Sequence, residues 1–322
     1  MTYLTCTVDI SRILYNLSFY TKPALLMVKA NAYGLGEGLI RHLDAHVAGY
    51  GVATVAEGAR VRALSQKPII LVAPWGESQG IVDYALTPLV GSEQQLRSLV
   101  ALRQPIVAHL KVDSGMHRFG VENAEEVLRL VDLAGGSQVC FRGIGTHFAS
   151  TATAEVQRKR FGACVSIAEQ RLGRLLRHAE ATSTGLDAHY DMLRIGMGAY
   201  QHAVRLCSRV LAVRRLRGGD CAGYDGVFVA PCDGVLAVVA GGYADGIDRR
   251  LVGHRVRIGS RLCPIVAVCM DVCMVWCGEP VAVDTAVEIL GDVAMPATLS
   301  PYEIYTSLRC RCKICYRPLG GI

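Results

Sequence analysis

The 322-residue chain lacks any long uninterrupted apolar run. Nowhere do about 18 uncharged apolar residues follow one another, as a membrane-spanning helix requires. The first residues, MTYLTCTVDISRILYNL, contain no basic segment followed by an apolar stretch, so no secretory signal is predicted. Together these absences predict a cytoplasmic protein without a membrane partner.

Net charge is also small. The 34 Lys and Arg residues against 28 Asp and Glu residues give a formal charge of +6, and the basic residues are spread along the chain. A nucleic-acid-binding protein usually has a stronger basic patch or stripe, so no nucleic-acid partner is predicted. The 51% hydrophobic content supports a sizeable core and argues against disorder.

Cysteine, in contrast, is abundant, with 13 residues. In a chain of this length without a secretory signal, this number predicts reduced thiols and not a disulfide framework. A soft-metal site is the alternative for the C-x-C-x-x-C run that begins at Cys310, and for the cysteines at every fourth residue from Cys269. Neither group has paired CxxC spacing with a nearby His. Buried free thiols are therefore favoured, and no metal site is predicted.

The hydrophobic pattern changes near residue 205. Before it, short apolar runs alternate with amphipathic segments, which is typical of βαβ units and a parallel sheet. A barrel and a doubly wound open sheet share this local pattern, so both remain open at this point. The strand candidates are Ala24 to Val28, Gly49 to Thr54, Pro68 to Ala73, Pro88 to Gly91, Ile106 to Val112 and Val139 to Phe148. The clearest helix candidates are VAEGARVRALS, EQQLRSLVALR, ENAEEVLRLVDLA and AEVQRKRFGACVSIAEQRLGRLL.

After residue 205 the helical pattern mostly stops. Apolar runs such as GVLAVVAGGY and CPIVAVCM, separated by Gly, Asp and Pro, predict strands. The expected organisation is therefore an α/β domain over residues 1–204 and a mainly β domain over residues 205–322. One helix is predicted from Ser300 to Leu308, with Ser300 as N-cap, Pro301 at the first helical position and Glu303 completing a capping box.

Polar side chains follow several strand candidates of the first domain. They are Lys29, Lys111, Asp113, His147 and Arg194. In a βα barrel, chemistry collects at the carboxyl ends of the strands, so these residues predict one shared pocket. Lys29 follows an apolar run, and a desolvated lysine can lose its proton as Schiff-base chemistry requires. Backbone N–H groups near Gly196 and Gly198 could bind phosphate. A lysine with a phosphate cradle indicates pyridoxal phosphate.

The motifs of the chain resemble, in order, those of the alanine racemase family. VKANAYGLG resembles the family's cofactor-lysine motif, and HLKVDSGMHRFG, GTHFAS, RIGMGAY, AGYDGVF, GGYADG, PIVAVCMD and PYEIYTSLRCR resemble later motifs. The match runs from about Val8 to Tyr316. It implies an N-terminal (β/α)8 TIM-type barrel that binds pyridoxal phosphate, followed by a C-terminal mainly β domain. It also implies a homodimer with shared active sites that racemises alanine and supplies D-alanine for peptidoglycan.

The resemblance assigns roles to matching positions. Lys29 is implied to bind the cofactor as a Schiff base and to serve as one catalytic base, and Tyr224 of the partner subunit as the other. Arg194 is implied to face the pyridine nitrogen, and His147 to form a hydrogen bond with Arg194. The residues implied to hold the phosphate are Tyr33, Ser183, Tyr302 and the backbone of Gly196 and Met197.

Other matches concern the amino-acid substrate. Arg118 is implied to lie near its carboxylate, and Lys111 matches a lysine that is often carbamylated in the family. A carbamate would be an anion that can pair with Arg118. Met270 and Asp271 are implied to approach the substrate from the partner subunit, and Tyr243 to line the entrance.

Three alternatives remain beside alanine racemisation. A serine racemase of the same family would keep both bases, although the bulk of Tyr302 favours alanine. A related amino-acid decarboxylase also has a β domain, but the motif strings match the racemase. A non-catalytic protein that binds pyridoxal phosphate would lack the β domain and Tyr224.

Overall fold

A computed structural model describes residues 3–180, 190–291, 299–308 and 311–317. The chain divides into two compact units. We call residues 14–32 and 37–199 the barrel unit, and residues 1–13, 33–36 and 200–322 the sheet unit.

Eight parallel strands of the barrel unit close into a barrel, which confirms the predicted (β/α)8 architecture. Most of their residues are buried, as expected for strands with helices outside and packed side chains inside. All six strand candidates form strands, β2 to β7. The barrel strands are β2 (Ala24–Met27), β3 (Gly49–Val52), β4 (Ile69–Leu71), β5 (Thr87–Val90), β6 (Ile106–Lys111), β7 (Val139–Gly145), β8 (Leu176–Glu180) and β9 (Met192–Ile195).

The last two barrel strands were missed in the sequence. The final helix candidate extended to Leu176, and this prediction was wrong. The helix ends at Leu172, because Gly173 adopts a positive φ of 76° that an α-helix cannot contain. The chain then enters β8 at Leu176.

Helices cover the outside of the barrel, and all four of the clearest candidates form helices, the last one ending earlier than predicted. Thr54, Ser92 and Asn123 are N-caps whose side chains accept the backbone N–H of the third helical residue. The barrel unit and its entry contain α1 (Ile10–Ser18), α2 (Lys29–Tyr33, a left-handed turn), α3 (Ile40–Leu43), α4 (Val55–Arg62), α5 (Gln79–Asp83), α6 (Glu93–Val100), α7 (Ala124–Ala134), α8 (Ala154–Leu172) and α9 (Met197–Tyr200). Short 3₁₀ helices span Glu37–Leu39 and Asp44–His46.

The sheet unit is mainly β, as predicted. Its eight-stranded sheet has the order β13-β16-β15-β14-β17-β10-β1-β18, and β11 and β12 form a separate pair. The chain's first strand, β1, lies here, antiparallel to β10 and parallel to β18. The strands are β1 (Thr5–Asp9), β10 (Val204–Leu216), β11 (Cys221–Ala222), β12 (Phe228–Val229), β13 (Gly234–Ala240), β14 (Arg255–Ile258), β15 (Arg261–Val268), β16 (Val272–Trp276), β17 (Ala286–Leu290) and β18 (Lys313–Arg317).

The predicted C-terminal helix is present as α10 (Pro301–Ser307). The Glu303 carboxylate accepts the backbone N–H of Ser300 at 3.1 Å, as a capping box requires. Three 3₁₀ turns connect strands of this unit, at Tyr224–Gly226, Tyr243–Asp245 and Arg249–Leu251.

Within the described part of the chain, no helix is long and apolar enough to cross a membrane. The same residues contain no group of three or more His, Cys, Asp or Glu side chains that could hold a metal ion. The cysteines that the structure describes are free thiols.

Two glycines of β7 leave room for large side chains from the neighbouring strands. A Cβ atom at Gly143 would lie 2.7 Å from the His109 ring, and one at Gly145 would overlap the His178 ring. Gly143 and Gly145 are two residues apart and therefore face the same side of β7. The lack of a side chain at Gly143 and Gly145 makes room for both imidazoles.

We expect Gly145→Ala to lower the free energy of unfolding by about 1–3 kcal/mol, because the added methyl group must displace a buried ring. The matched control is Gly162→Ala in α8, where an added Cβ meets nothing within 4 Å. This control should raise the free energy of unfolding by about 0.5–1 kcal/mol through helix propensity. Urea unfolding measures both, and equal effects of the two changes would contradict the packing role of Gly145.

Candidate active site

The carboxyl edge of the barrel collects most of the residues predicted in the first domain. Lys29 lies two residues after β2, and β2 pairs with β9, which carries Arg194. Gly196 and Met197 follow β9, while Lys111 is the last residue of β6 and His147 comes shortly after β7. In parallel strands these ends lie on one side, which is where chemistry collects in such barrels.

Arg194 is buried, with 4% of its surface exposed. Its Nη1 lies 2.6 Å from His178 Nδ1, and its Nη2 donates to the carbonyl of Thr146. His178 Nε2 in turn lies 2.9 Å from His109 Nδ1. Because a guanidinium only donates hydrogen bonds, Nδ1 of His178 must accept, which leaves its proton on Nε2. The chain of bonds therefore assigns one tautomer to each imidazole.

Both imidazoles are neutral over the physiological range. Burial, and then the positive charge of Arg194, lower the pKa of His109 to about 4. The pKa of His178 is lowered well below its ordinary value by burial first, with Arg194, His109 and Lys111 adding to the effect. His178 and the Thr146 carbonyl are thus neutral groups that accept hydrogen bonds from the positively charged guanidinium.

His178 was missed by the sequence analysis, which expected His147 to bond Arg194. The structure places His178 against the guanidinium. His178 was missed because β8 was not recognised as a strand, and the expected hydrogen bond between His147 and Arg194 stays a prediction. His147 is half-buried and follows Thr146, whose carbonyl binds Arg194. Its role toward a cofactor stays a prediction.

The loop after β6 is organised by a single carboxylate. Asp113 Oδ1 accepts the backbone N–H groups of Gly115, Met116 and His117 at 2.9 Å, and Oδ2 accepts that of Arg118 at 2.7 Å. Burial acts to raise the pKa of Asp113, but these four hydrogen bonds lower it overall. The loop holds the Arg118 backbone firmly, while the Arg118 side chain is exposed.

Lys111 is, like Arg194, a predicted cation inside the fold. It is buried, with 7% of its surface exposed, and its Nζ lies 3.4 Å from the carbonyl oxygen of Val112. It contributes to the low pKa of His178, so its positive charge acts on the same cluster as that of Arg194.

Lys29 opens a turn of unusual backbone conformation. The next four residues, from Ala30 to Tyr33, have φ between 52° and 57°, the left-handed region that L-residues rarely enter. Lys29 itself is half-buried. Tyr33 belongs to the sheet unit, where it is buried and its ring lies 5.3 Å from that of Tyr200.

Tyr224 lies at the start of a 3₁₀ turn between β11 and β12 of the sheet unit. It is 54% exposed. With Arg249 and Ala267, among others, it lines an open cavity of about 520 Å³. The predicted second base is therefore presented on the surface of its own unit.

The remaining substrate residues of the sheet unit lie together. Tyr243 N–H donates to the carbonyl of Cys269 at 2.9 Å, which joins the Tyr243 turn to the segment containing Met270 and Asp271. The side chains of Tyr243, Met270 and Asp271 are all exposed. Arg311 fixes Asp271 through a 2.7 Å ion pair from Nη1, and bonds Asp245 at 2.7 Å through Nε.

Two predicted phosphate ligands cannot be placed. Ser183 lies outside the described residues, and the side chain of Tyr302, within α10, is also outside what the structure describes.

Comparison with known proteins identifies relatives over the whole length. A family model of the alanine racemase N-terminal domain matches residues 9–203, and one of the C-terminal domain matches residues 203–316. An alanine racemase of Cereibacter sphaeroides is 33% identical over 310 residues, covering 88% of this chain and 87% of that protein.

Solved structures show the same fold. Alanine racemase from E. faecalis superimposes with a TM-score of 0.88 at 26% identity, covering 98% of each chain. The fold is also that of alanine racemase from Bartonella henselae with covalently bound pyridoxal phosphate, with a TM-score of 0.85 at 23% identity, covering 98% of this chain and 100% of that one.

The histidine pair predicts how stability depends on pH. An unfolded His titrates near 6.5, whereas folded His109 titrates near 4. Between pH 4 and 6.5, His109 is therefore protonated in the unfolded chain but neutral in the folded chain. The free energy of unfolding should therefore be highest above pH 6.5 and fall as the pH drops toward 4, by about 3 kcal/mol from His109.

Urea unfolding of the cofactor-free protein between pH 4 and 8, at fixed protein concentration, measures this fall. His109→Gln can still accept from His178 and should flatten the profile. Replacement of the exposed His42 by Gln is the control and should leave the profile unchanged. An identical slope in His109→Gln and wild type would contradict the assignment.

Proposed function

The chain belongs to the alanine racemase family of isomerases, and from this premise we propose that it interconverts L-alanine and D-alanine with pyridoxal phosphate as cofactor. One observation supports the proposal at the level of individual residues. Arg194, a buried cation bonded to neutral histidine, lies on the strand that pairs with the strand leading into Lys29.

The donors at the barrel edge suit this cofactor, on which the family depends. Pyridoxal phosphate presents an aldehyde, a ring nitrogen and a dianionic phosphate, and these require an amine, a hydrogen-bond donor and several N–H groups. Lys29 would bind the aldehyde and Arg194 the ring nitrogen. The buried backbone at Gly196 and Met197 would bind the phosphate. From the motif match we add Tyr33, Ser183 and Tyr302 as phosphate ligands and His147 as a cofactor contact.

Arg194 has a further consequence for selectivity. A guanidinium keeps its proton under all physiological conditions, so it cannot protonate the ring nitrogen that it faces. Neutral His178 and His109 cannot supply that proton either. When bound, the cofactor would weaken the Cα–H bond of an attached amino acid, and beside Arg194 it would do so as a mild electron acceptor. This limits side reactions such as transamination.

Racemisation requires proton transfer on both faces of Cα, and we assign one base to each. The amine Nζ of Lys29 takes the proton from D-alanine, and the phenol oxygen of Tyr224 in the partner subunit takes it from L-alanine. After either step the opposite base delivers a proton, which inverts the centre. The large exposed fraction of Tyr224 on the sheet unit supports a homodimer with shared sites.

The remaining residues would bind and admit the substrate. We assign Arg118 to the carboxylate, with Lys111, as a carbamate, pairing with Arg118. Carbamylation would turn Lys111 from a cation into an anion that can pair with Arg118. In its cationic form this buried lysine helps to lower the pKa of His178. Met270 and Asp271 of the partner subunit would contact the substrate, and Tyr243 would line the entrance. We further propose that the enzyme is cytoplasmic and supplies D-alanine for peptidoglycan.

The two-base assignment predicts that a variant lacking one base can still exchange the Cα proton of one isomer but cannot efficiently invert the Cα centre. In deuterated water with pyridoxal phosphate, the wild type should form deuterated D-alanine from L-alanine, and more slowly D-serine from L-serine. Tyr224→Phe should lower racemisation by about 10²–10⁴-fold, because the L-face base is lost. It should still exchange the Cα proton of D-alanine, since Lys29 remains. NMR follows deuteration and chiral chromatography follows inversion.

Tyr15→Phe is the matched control, because Tyr15 is 53% exposed but lies in α1 and has no assigned role. It should racemise as the wild type does. Full activity of Tyr224→Phe from both isomers would refute the assignment of Tyr224. Wild type that binds the cofactor but exchanges neither amino acid would refute racemisation itself.

A further inference from the structure

The turn that follows Lys29 is held in a conformation of high energy. Ala30, Asn31, Ala32 and Tyr33 have φ of 53°, 56°, 52° and 57°. None of them is glycine, and a left-handed conformation costs an ordinary L-residue about 1–2 kcal/mol. Such backbone persists only where neighbouring structure over-determines it.

A carboxylate of α4 binds this turn at its first residue. Glu57 Oε1 accepts the backbone N–H of Ala30 at 2.7 Å. Its other oxygen, Oε2, accepts the N–H groups of Ala53 at 2.7 Å and Thr54 at 3.3 Å. Glu57 is buried, with 9% of its surface exposed, and Thr54 Oγ1 accepts its backbone N–H at 3.1 Å. The two oxygens thus join the N-terminus of α4 to the residue directly after Lys29.

A second contact from α4 supports the same turn. Arg60 Nε lies 2.9 Å from both carboxylate oxygens of Glu37. The Glu37 N–H donates to Asn31 Oδ1 at 3.1 Å, and Asn is one of the residues that tolerate the left-handed region best. Ala32 N–H also donates to the carbonyl of Val28 at 2.8 Å, which closes the turn over Lys29.

We propose that Glu57 is a positioning residue for Lys29. The Ala30 N–H belongs to the Lys29–Ala30 peptide group, so fixing it fixes the direction in which the Lys29 side chain leaves the backbone. The inference rests on the proposed role of Lys29 as base. It goes further by assigning a function to a carboxylate outside the pocket, and to the helix that carries it.

The chemistry explains why a carboxylate is needed. Both oxygens of Glu57 face N–H donors, so both must accept. Glutamine offers one acceptor oxygen and a donor NH2 group. Glu57→Gln therefore sets a donor against either Ala30 or the Ala53–Thr54 pair, at nearly unchanged volume.

The test compares Glu57→Gln with Thr54→Ala. Thr54→Ala removes the side-chain cap of α4, which costs about 0.5–2 kcal/mol, but keeps the Glu57–Ala30 bond. Both variants should unfold at lower urea concentration than wild type. In the cofactor-free protein, only Glu57→Gln should speed amide hydrogen exchange in a peptide covering residues 24–36, about 10-fold or more. Ala30 is exposed, so this bond is what shields its N–H.

The loaded enzyme gives an independent readout. Misdirecting Lys29 should lower kcat for alanine by about 10–100-fold in Glu57→Gln, since displacement of a reacting group by about 1 Å can have such an effect. The slower step is proton transfer at Lys29. The isotope effect with α-deuterated D-alanine should therefore rise relative to that with α-deuterated L-alanine. Thr54→Ala should keep both isotope effects of the wild type.

A purely structural role for Glu57 would give a different result. Both variants would then lose activity in proportion to stability, with wild-type isotope effects and exchange, and this outcome overturns the inference alone. Glu57→Asp, which keeps two acceptor oxygens, should lie between wild type and Glu57→Gln, and replaces it if Gln prevents folding. A wild-type protein that does not racemise alanine would overturn the proposed function as well.

Discussion

The interior of the barrel must hold a guanidinium that never loses its proton, and much of the local sequence follows from that requirement. A buried cation needs hydrogen-bond acceptors, and a carboxylate would cancel its charge. Two neutral groups accept hydrogen bonds from Arg194: the Thr146 carbonyl and the Nδ1 atom of His178, which is in turn bonded to His109. Two imidazoles fit side by side only because β7 carries glycine at 143 and 145. The charge of Arg194, the tautomers of the two histidines and the glycines of β7 therefore depend on one another.

Lys29 is governed by a different constraint, that of backbone conformation. Its strand ends in a turn of four left-handed residues, and the free energy that the turn costs is offset by contacts from α4. Glu57 reaches the turn because Thr54 fixes the start of that helix. An exposed helix on the outside of the barrel can thereby influence a side chain at its carboxyl edge. Because β2 pairs in parallel with β3, the turn after β2 and the helix after β3 start from the same edge of the barrel.

The sheet unit presents its candidate residues outward. Tyr224, Tyr243 and Met270 are large side chains that a protein normally buries, yet each is more than a third exposed. Arg249 lies 5.4 Å from the centre of the Tyr243 ring, and Arg311 bonds Asp271. Tyr243 and Asp271 therefore have charged neighbours and still remain accessible. Such ordered exposure is typical of residues that act on another molecule, which is consistent with a site completed by a second subunit.

The sequence by itself determined the architecture. Strand and helix periodicity predicted six of the eight barrel strands and the mainly β second domain, because burial on a parallel strand demands a continuous apolar run. The motif resemblance to the alanine racemase family predicted the closed barrel and proposed Lys29 and Arg194 as site residues. Only the tertiary structure decided that His178 bonds Arg194, because β8 reads LRHAE, with two charged residues and a histidine in place of the continuous apolar run that marks a buried strand. Likewise, Glu57 resembles any helix-capping residue until the fold brings it to Ala30, 27 positions away. Helix and strand preferences depend on neighbouring residues and can be recognised in the sequence. The contacts of His178 with Arg194 and of Glu57 with Ala30 join distant segments and form only when the barrel closes.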